Sequence, residues 1–260
     1  MGKVQGKVAI ITGAAKGLGA ADARLLASEG ATVVLADVDD STGEALAAEI
    51  GRGAEYRHLD VRSEAEWQAL IEGVVARHSR LDILVNNAGV VEFGDPETIA
   101  ETDYRRILSV SLDGVVFGTK HAIPAMRASG GGAIINMASI AAIRGESFFA
   151  AYCAAKGAID AYTRATAVHC IRTGTPVRCN SILPSGIDTP MVQSLPEKLV
   201  RLLGEAPPQD NATAVNRLGM AEDVANLVLF LACDDSRFIN GQSHIIDDGA
   251  SVISGPTVPR

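Results

Sequence analysis

Val8-Ala9-Ile10-Ile11-Thr12 runs straight into Gly13-Ala14-Ala15-Lys16-Gly17-Leu18-Gly19, and the reading of this stretch decides the fold class. An unbroken apolar and β-branched run suits a strand covered on both faces. The glycines behind it allow a tight turn and let the backbone approach a pyrophosphate. The helix that opens there adds amide donors and the positive end of its dipole. The spacing is GxxxGxG, not GxGxxG. With 26 glycines in 260 residues, it gains its weight from the strand before it and the helix after it.

The same alternation continues down the chain. Strand-like runs fall at 8–12, 32–36, 55–59, 83–86, 133–137, 177–183 and 243–247, and helical stretches at 18–29, 42–50, 64–77, 103–127, 148–172 and 221–233. Repeated strand–helix–strand units predict an α/β fold, a doubly wound, seven-stranded parallel sheet with helices on both faces. No linker or repeat divides the chain, so residues 1–260 read as a single domain. One segment breaks the rhythm. Residues 189–217 follow the sixth strand and carry Pro190, Pro196, Pro207 and Pro208, in the place where a ligand lid belongs.

Composition narrows the function classes. The chain is 47% hydrophobic and 21% charged, which suits a well-buried core, and its net charge is −8 with Lys and Arg scattered. Without a basic stripe, nucleic acid is not an expected partner. No apolar run approaches the roughly 18 residues of a membrane span, and the first residues show no signal-peptide core, so a soluble, cytoplasmic protein is expected. Cys153, Cys170, Cys179 and Cys233 lack metal-ligand spacing and read as reduced, mostly packed thiols. His58, His78, His121, His169 and His244 are scattered singly, and no metal site is expected.

Four residues carry the chemistry that the fold class suggests. Asp37 closes the second strand, 24 residues after Gly13. A carboxylate there can accept both ribose hydroxyls of an adenosine and would repel a 2′-phosphate. Lys16 pulls towards a phosphate, but no arginine follows Asp37, and NAD is the expected cofactor. Tyr152 and Lys156 lie one helical turn apart on one face. A phenol of pKa about 10 is a poor base at neutral pH, and a fixed positive charge beside it favours the phenolate. Ser139, thirteen residues upstream of Tyr152, can offer its hydroxyl to the same substrate oxygen.

Together with Asp60-Val61, Asn86-Asn87-Ala88-Gly89 and Pro184-Ser-Gly-Ile-Asp-Thr-Pro-Met191, these pieces resemble the short-chain dehydrogenase/reductase family over nearly the whole length. The likeness is nearest to bacterial NAD-dependent secondary-alcohol and hydroxysteroid dehydrogenases. The resemblance implies a Rossmann-like domain in which Asp60 bonds the adenine amino group and Val61 packs beside the ring. Asn87, Ala88 and Gly89 would run along the adenosine ribose, and Ile187 and Thr189 would meet the nicotinamide carboxamide. Gly13, Lys16, Gly17, Leu18, Gly19, Asp37, Val38, Pro184 and Gly186 complete the implied cofactor set. Tyr152 would be the acid/base. Lys156 would bind the nicotinamide ribose and depress the tyrosine pKa, and Ser139 would polarise the substrate oxygen. The family usually has Asn where this chain has Ser111 in Ser111-Leu-Asp-Gly114. That Asn supports a helix irregularity whose carbonyl holds a relay water, so the proton path through Ser111 is expected in altered form. Pro184-Ser185 stands for the usual Pro-Gly, which predicts a different path for the loop beside the nicotinamide. Asp247-Asp248-Gly249-Ala250 stands for Asp-Gly-Gly.

The expected reaction is reversible hydride transfer between a secondary alcohol and a nicotinamide. Apolar residues flank the pair (Ile140, Ala141, Ala142, Ile143, Phe148, Phe149), the loop after Gly89 (Val90, Val91, Phe93) and the lid (Met191, Val192, Leu195, Leu199, Leu202, Leu203). They favour a small hydrophobic alcohol or ketone, cyclic or steroid-like. An NADPH-dependent carbonyl or ketoacyl reductase is opposed by Asp37. A non-catalytic nucleotide sensor is opposed by the trio Ser139, Tyr152 and Lys156. The resemblance also implies a homo-oligomer, tetramer or dimer.

Overall fold

In the computed structural model, which describes residues 2–51, 53–203 and 218–252, the strands are β1 (Val8–Thr12), β2 (Thr32–Asp37), β3 (Ala54–His58), β4 (Ile83–Asn86), β5 (Gly132–Met137), β6 (Val177–Pro184) and β7 (Ser243–Ile246). They form one sheet in the order β3-β2-β1-β4-β5-β6-β7, parallel at every pairing. Helices α1 (Gly17–Ser28), α2 (Asp40–Ile50), α3 (Glu64–His78), α4 (Glu101–Leu108), α5 (Gly114–Ala128), α6 (Ala150–Arg172), α7 (Pro190–Gln193), α8 (Leu195–Leu203) and α9 (Ala221–Ala232) connect them. The Rossmann-like seven-stranded parallel sheet read from the sequence is present.

The unbroken apolar runs are explained by the layers above and below. Along β1, Ala9 and Ile11 face a core shared with Leu26 of α1 and Val224 and Val228 of α9. Val8 and Ile10 face the opposite core, with Trp67 of α3 and Met126 of α5. Alternate side chains point to opposite faces, so a strand buried on both has no position to give to water. The strand order reverses between β1 and β4. Helices on opposite faces diverge there, leaving a crevice outside the carboxyl ends of the strands.

Several boundaries differ from the sequence reading. The helix expected over 103–127 begins at Glu101 and is interrupted by a π-helical turn at Ser109–Asp113 before α5 resumes. A residue is inserted into the turn without a proline or an exposed break, and hydrophobic periodicity barely registers it. Strand β2 runs one residue further, placing Asp37 on its last rung beside His58. The segment expected as a lid contains α7 and α8, and 204–217, with Pro207 and Pro208, lies outside the described residues. No helix among the described residues is long and apolar enough to cross a membrane.

Candidate active site

At the glycine turn after β1, Gly13 and Gly17 adopt φ of +61° and +58°, the left-handed region that glycine enters without strain. A Cβ added at Gly13 would sit 2.9 Å from the Ala88 Cα, so the loop and the end of β4 meet backbone to backbone. Thr12 holds that junction. Its hydroxyl accepts from the amides of Asn87 and Ala88, both at 3.0 Å. The Asn87 amide donates to the carbonyls of Thr12 and Gly13 at 2.9 and 3.2 Å. Asn87 therefore shapes the loop through its side chain.

Asp37, at the end of β2, is oriented by backbone donors. One oxygen accepts from the Ala15 amide and the other from the Asp39 amide, each at 3.0 Å. Lys16 lies 3.7 Å from Asp39, which draws its charge away from the phosphate turn. Asp60 is engaged by Arg62, whose guanidinium donates to both carboxylate oxygens and holds that carboxyl below the usual range.

At the other end, Ser139 follows β5 and starts a short 3₁₀ turn at Ile140–Ala142. Its hydroxyl oxygen accepts from the Ala141 amide at 3.1 Å. Tyr152 and Lys156 come from the first two turns of α6, and the Lys156 ammonium sits 5.5 Å from the Tyr152 ring centre. Lys156 is 3% exposed, and its ammonium donates to the Met137 carbonyl at 2.7 Å. A lysine carries three donors, so a buried ammonium held by one carbonyl has capacity for ligand oxygens. Burial pulls the Lys156 pKa down to about 8.

The expected depression of the tyrosine is not what this geometry produces. Burial pushes the Tyr152 phenol up to about 12, and only the neighbouring Ser139 hydroxyl opposes it. The lysine's charge is itself penalised by burial and is pinned to Met137, so desolvation wins.

Buried polar contacts fix α6 against the sheet. The Asn86 amide donates to Asn136 at 2.9 Å across β4 and β5, and the Asn136 amide donates to the Thr163 hydroxyl at 2.9 Å. Thr163 lies two helical turns beyond Lys156. Asp160 accepts from the hydroxyls of Ser181 and Ser243, both at 2.6 Å, tying the same helix to β6 and β7. Sequence reasoning missed these links, because scattered Asn, Thr and Ser form a network only after the strands are registered.

One cleft of about 690 Å³ joins the two ends. Gly13, Lys16, Gly17, Leu18, Asp37, Val38, Asp60, Val61, Asn87, Ala88, Gly89, Ser139, Tyr152, Lys156, Pro184, Ile187 and Thr189 all line it. Three expected residues lie behind its wall. Gly19 serves close packing, since a Cβ there would be 2.4 Å from the Gly13 carbonyl oxygen. The Gly186 carbonyl accepts from the Gly219 amide at 3.0 Å. Ser111 is fully buried in the π-helical turn, where its hydroxyl accepts from the Val90 amide at 3.3 Å. Ser185 donates its amide to the Ile246 carbonyl at 3.1 Å, extending the β6–β7 ladder into the cleft wall.

Charged residues that the sequence did not single out also line the cleft. Lys198 of α8 reaches across to the Val91 carbonyl at 2.9 Å and to Glu92 at 3.0 Å, and Arg106 of α4 meets the other Glu92 oxygen at 2.9 Å. They join α8 and α4 to the loop after β4.

Comparison with known proteins agrees with this geometry. A family profile described as enoyl-(acyl carrier protein) reductase matches residues 13–251. The 3-beta-hydroxysteroid dehydrogenase of Comamonas testosteroni is 41% identical over 240 residues, 92% of this chain and 93% of that one. The chain belongs to the short-chain dehydrogenase/reductase family. Within it, the 3-alpha-(or 20-beta)-hydroxysteroid dehydrogenase of Mycobacterium tuberculosis strain H37Rv is 38% identical over 248 residues, 95% of this chain and 90% of that one. The cyclopentanol dehydrogenase of Comamonas testosteroni is 36% identical over 255 residues, 96% and 98% of the two chains. This short-chain dehydrogenase/reductase is an oxidoreductase, and the family's cofactor is a nicotinamide dinucleotide. The cleft fits one: glycines open its phosphate turn, a carboxylate stands at its ribose end, and a buried ammonium with spare donors stands at the other.

Proposed function

We propose that this protein is an NAD-dependent dehydrogenase that interconverts a hydrophobic secondary alcohol, cyclic or steroid-like, and its ketone. The observation that carries this is a single cleft with Asp37 at one end and Ser139, Tyr152 and Lys156 at the other. The names of the relatives, which include steroid and cyclopentanol dehydrogenases, support the substrate class.

Gly13, Gly17 and the amides of the turn would hold the pyrophosphate, with Lys16 and Leu18 beside them. Asp37 would accept the adenosine ribose hydroxyls, Val38, Asp60 and Val61 would flank the adenine, and Asn87, Ala88 and Gly89 would line the path between. Lys156 would donate to the second ribose, with Pro184, Ile187 and Thr189 beside the carboxamide. When bound, the nicotinamide supplies the hydride acceptor or donor. The chain's own part is proton transfer and orientation. Ser139 donates to the substrate oxygen while its lone pair stays on the Ala141 amide. In ketone reduction the Tyr152 phenol, protonated at neutral pH, gives its proton to that oxygen. In alcohol oxidation the phenolate takes the proton back, so that direction gains from alkali. Ser111 sits one residue layer behind, where it would steady the Gly89–Val90 backbone and the π-helical turn along the proton path.

NAD is favoured because Asp37 is already oriented by two amides and Lys16 is drawn to Asp39. A homo-oligomer, tetramer or dimer, in the cytoplasm completes the reading. Val168 and Ile171 of α6, 47% and 67% exposed, and the fully exposed Phe238 offer apolar contact surface. The test is an initial-rate panel of cyclic, aryl and steroid secondary alcohols with NAD and with NADP. NADH formation that depends on the alcohol and is at least about tenfold faster than with NADP is expected. Faster reduction of acyl-linked ketones with NADPH would favour the reductase reading, and no alcohol-dependent turnover on any substrate would overturn the proposal.

A further inference from the structure

The β2–α2 turn that carries Asp37 is clamped from outside the cleft by Tyr56, a residue of the edge strand β3. Its hydroxyl lies 2.6 Å from the Asp37 backbone carbonyl and 2.6 Å from the Asp40 carboxylate. Those acceptors are the last residue of β2 and the first of α2, so one side chain spans the turn from end to end. Its single hydrogen is shared between them. His58 approaches the same Asp40 oxygen at 2.7 Å and holds the carboxylate in place. The ring side is equally determined. A Cβ added at Gly43 would lie 2.3 Å from the Tyr56 ring, so α2 leaves open the space that the ring fills.

The clamp acts where coenzyme choice is made. Asp37, Val38 and Asp39 line the cleft, and the turn gathers the carboxylates of Asp37, Asp39 and Asp40 within four residues. The Asp37 carboxylate takes its direction from the Asp39 amide, so its aim depends on the path of the turn. The strand does not need the clamp to form, because the Asp37 carbonyl also accepts the ladder bond from the Leu59 amide at 2.9 Å.

We infer that Tyr56 is a positioning residue for coenzyme selection: it holds the acidic turn so that Asp37 meets the ribose diol and the turn turns away a 2′-phosphate. This rests on the proposal that Asp37 selects NAD.

The experiment compares the full-length wild type with Tyr56→Phe, Gly43→Ala, Asp37→Ala and the double variant Asp37→Ala/Tyr56→Phe, using NAD and NADP. Loss of one hydrogen bond is worth about three- to tenfold in binding. Tyr56→Phe is expected to raise the KM for NAD by about that factor, leave kcat unchanged, and lower the NAD over NADP preference in kcat/KM by the same factor. Gly43→Ala, which keeps the hydroxyl but displaces the ring, should move KM the same way. In the double variant the Tyr56 effect should vanish, because Tyr56 acts through Asp37. A wild-type KM for NAD in both Tyr56→Phe and Gly43→Ala overturns the inference, as does a Tyr56 effect undiminished in the double variant. An unchanged coenzyme ratio in Asp37→Ala is a different failure: it removes the NAD reading itself, and this inference with it.

Discussion

The two ends of the cleft are built from different materials. At the Asp37 end, strand termini and backbone amides do the holding: Thr12 and Asn87 join β1 to β4, and Ala15 and Asp39 aim Asp37. At the Tyr152 end, Met191 lines the cleft with 38% of its surface in water, and charged side chains join α8 to the loop after β4. Backbone geometry repeats wherever a parallel sheet reverses its order, so the first end follows from topology. The second depends on individual side chains, which is where one fold can take many alcohols.

The largest effect is expected at the Tyr152 end, from Tyr152→Phe, which removes the proposed acid/base while keeping the ring. Turnover should fall by about 10²–10⁴ or more, with NAD affinity, measured by fluorescence titration, nearly unchanged. Equal losses in both would mean that the two ends are not separable.

The pH profile sharpens the same division. Tyr152 sits at about 12, so raising the pH increases the phenolate and therefore alcohol oxidation, by up to about tenfold per unit. Lys156, at about 8, loses its charge first, and the rise should become shallower above that pH. Ketone reduction, which uses the protonated phenol, should stay level or fall. An oxidation rate independent of pH between 7 and 10 would exclude Tyr152 as the proton acceptor.

The helix that follows the glycine turn also carries a stability penalty. Asp22 of α1 is completely buried, and both its oxygens lack a partner among the described residues. Burial raises its pKa well above the unfolded value, so the folded protein holds this proton more tightly and loses stability as pH rises past the usual carboxylate range. Asp22→Ala should therefore stabilise the protein at pH 7 by roughly 1–3 kcal/mol, read in a urea melt, with a smaller gain at pH 4. A destabilised variant would show that the carboxyl is needed for packing.

The smallest effect belongs to the contacts of α8. Glu92→Gln removes the charge that Lys198 and Arg106 share, and such partly exposed pairs are worth up to about 1 kcal/mol. KM for the alcohol should rise about two- to fivefold, less at high salt. A wild-type KM at low salt would leave these contacts without a role in binding.

Much of this was readable from the chain, for particular reasons. Val8–Thr12 followed by glycines announces a buried strand and a phosphate turn because both demands act within a few residues. Tyr152 and Lys156 are legible as a pair because helical spacing places them together. Apolar periodicity did not show the break at Ser109–Asp113, since a π-helical turn leaves the pattern on either side intact; only the family resemblance at Ser111 pointed to a helix irregularity there. The height of the Tyr152 pKa was misread for a related reason. Spacing shows a neighbouring charge, but burial is a property of the assembled cleft, and here it outweighs that charge.

Local order in the chain was enough for the alternation of strands and helices, the glycine turn and the Tyr–Lys face, since each depends on contacts between near neighbours. Folding in three dimensions set everything that joins distant residues: Tyr56 bracing Asp37, Asn136 reaching Thr163, Lys198 crossing to Glu92, and Asp22 shut away from water. Hydrogen bonds and desolvation act over a few ångströms of space, whatever the distance along the chain, so these features exist only once the sheet has brought their partners together.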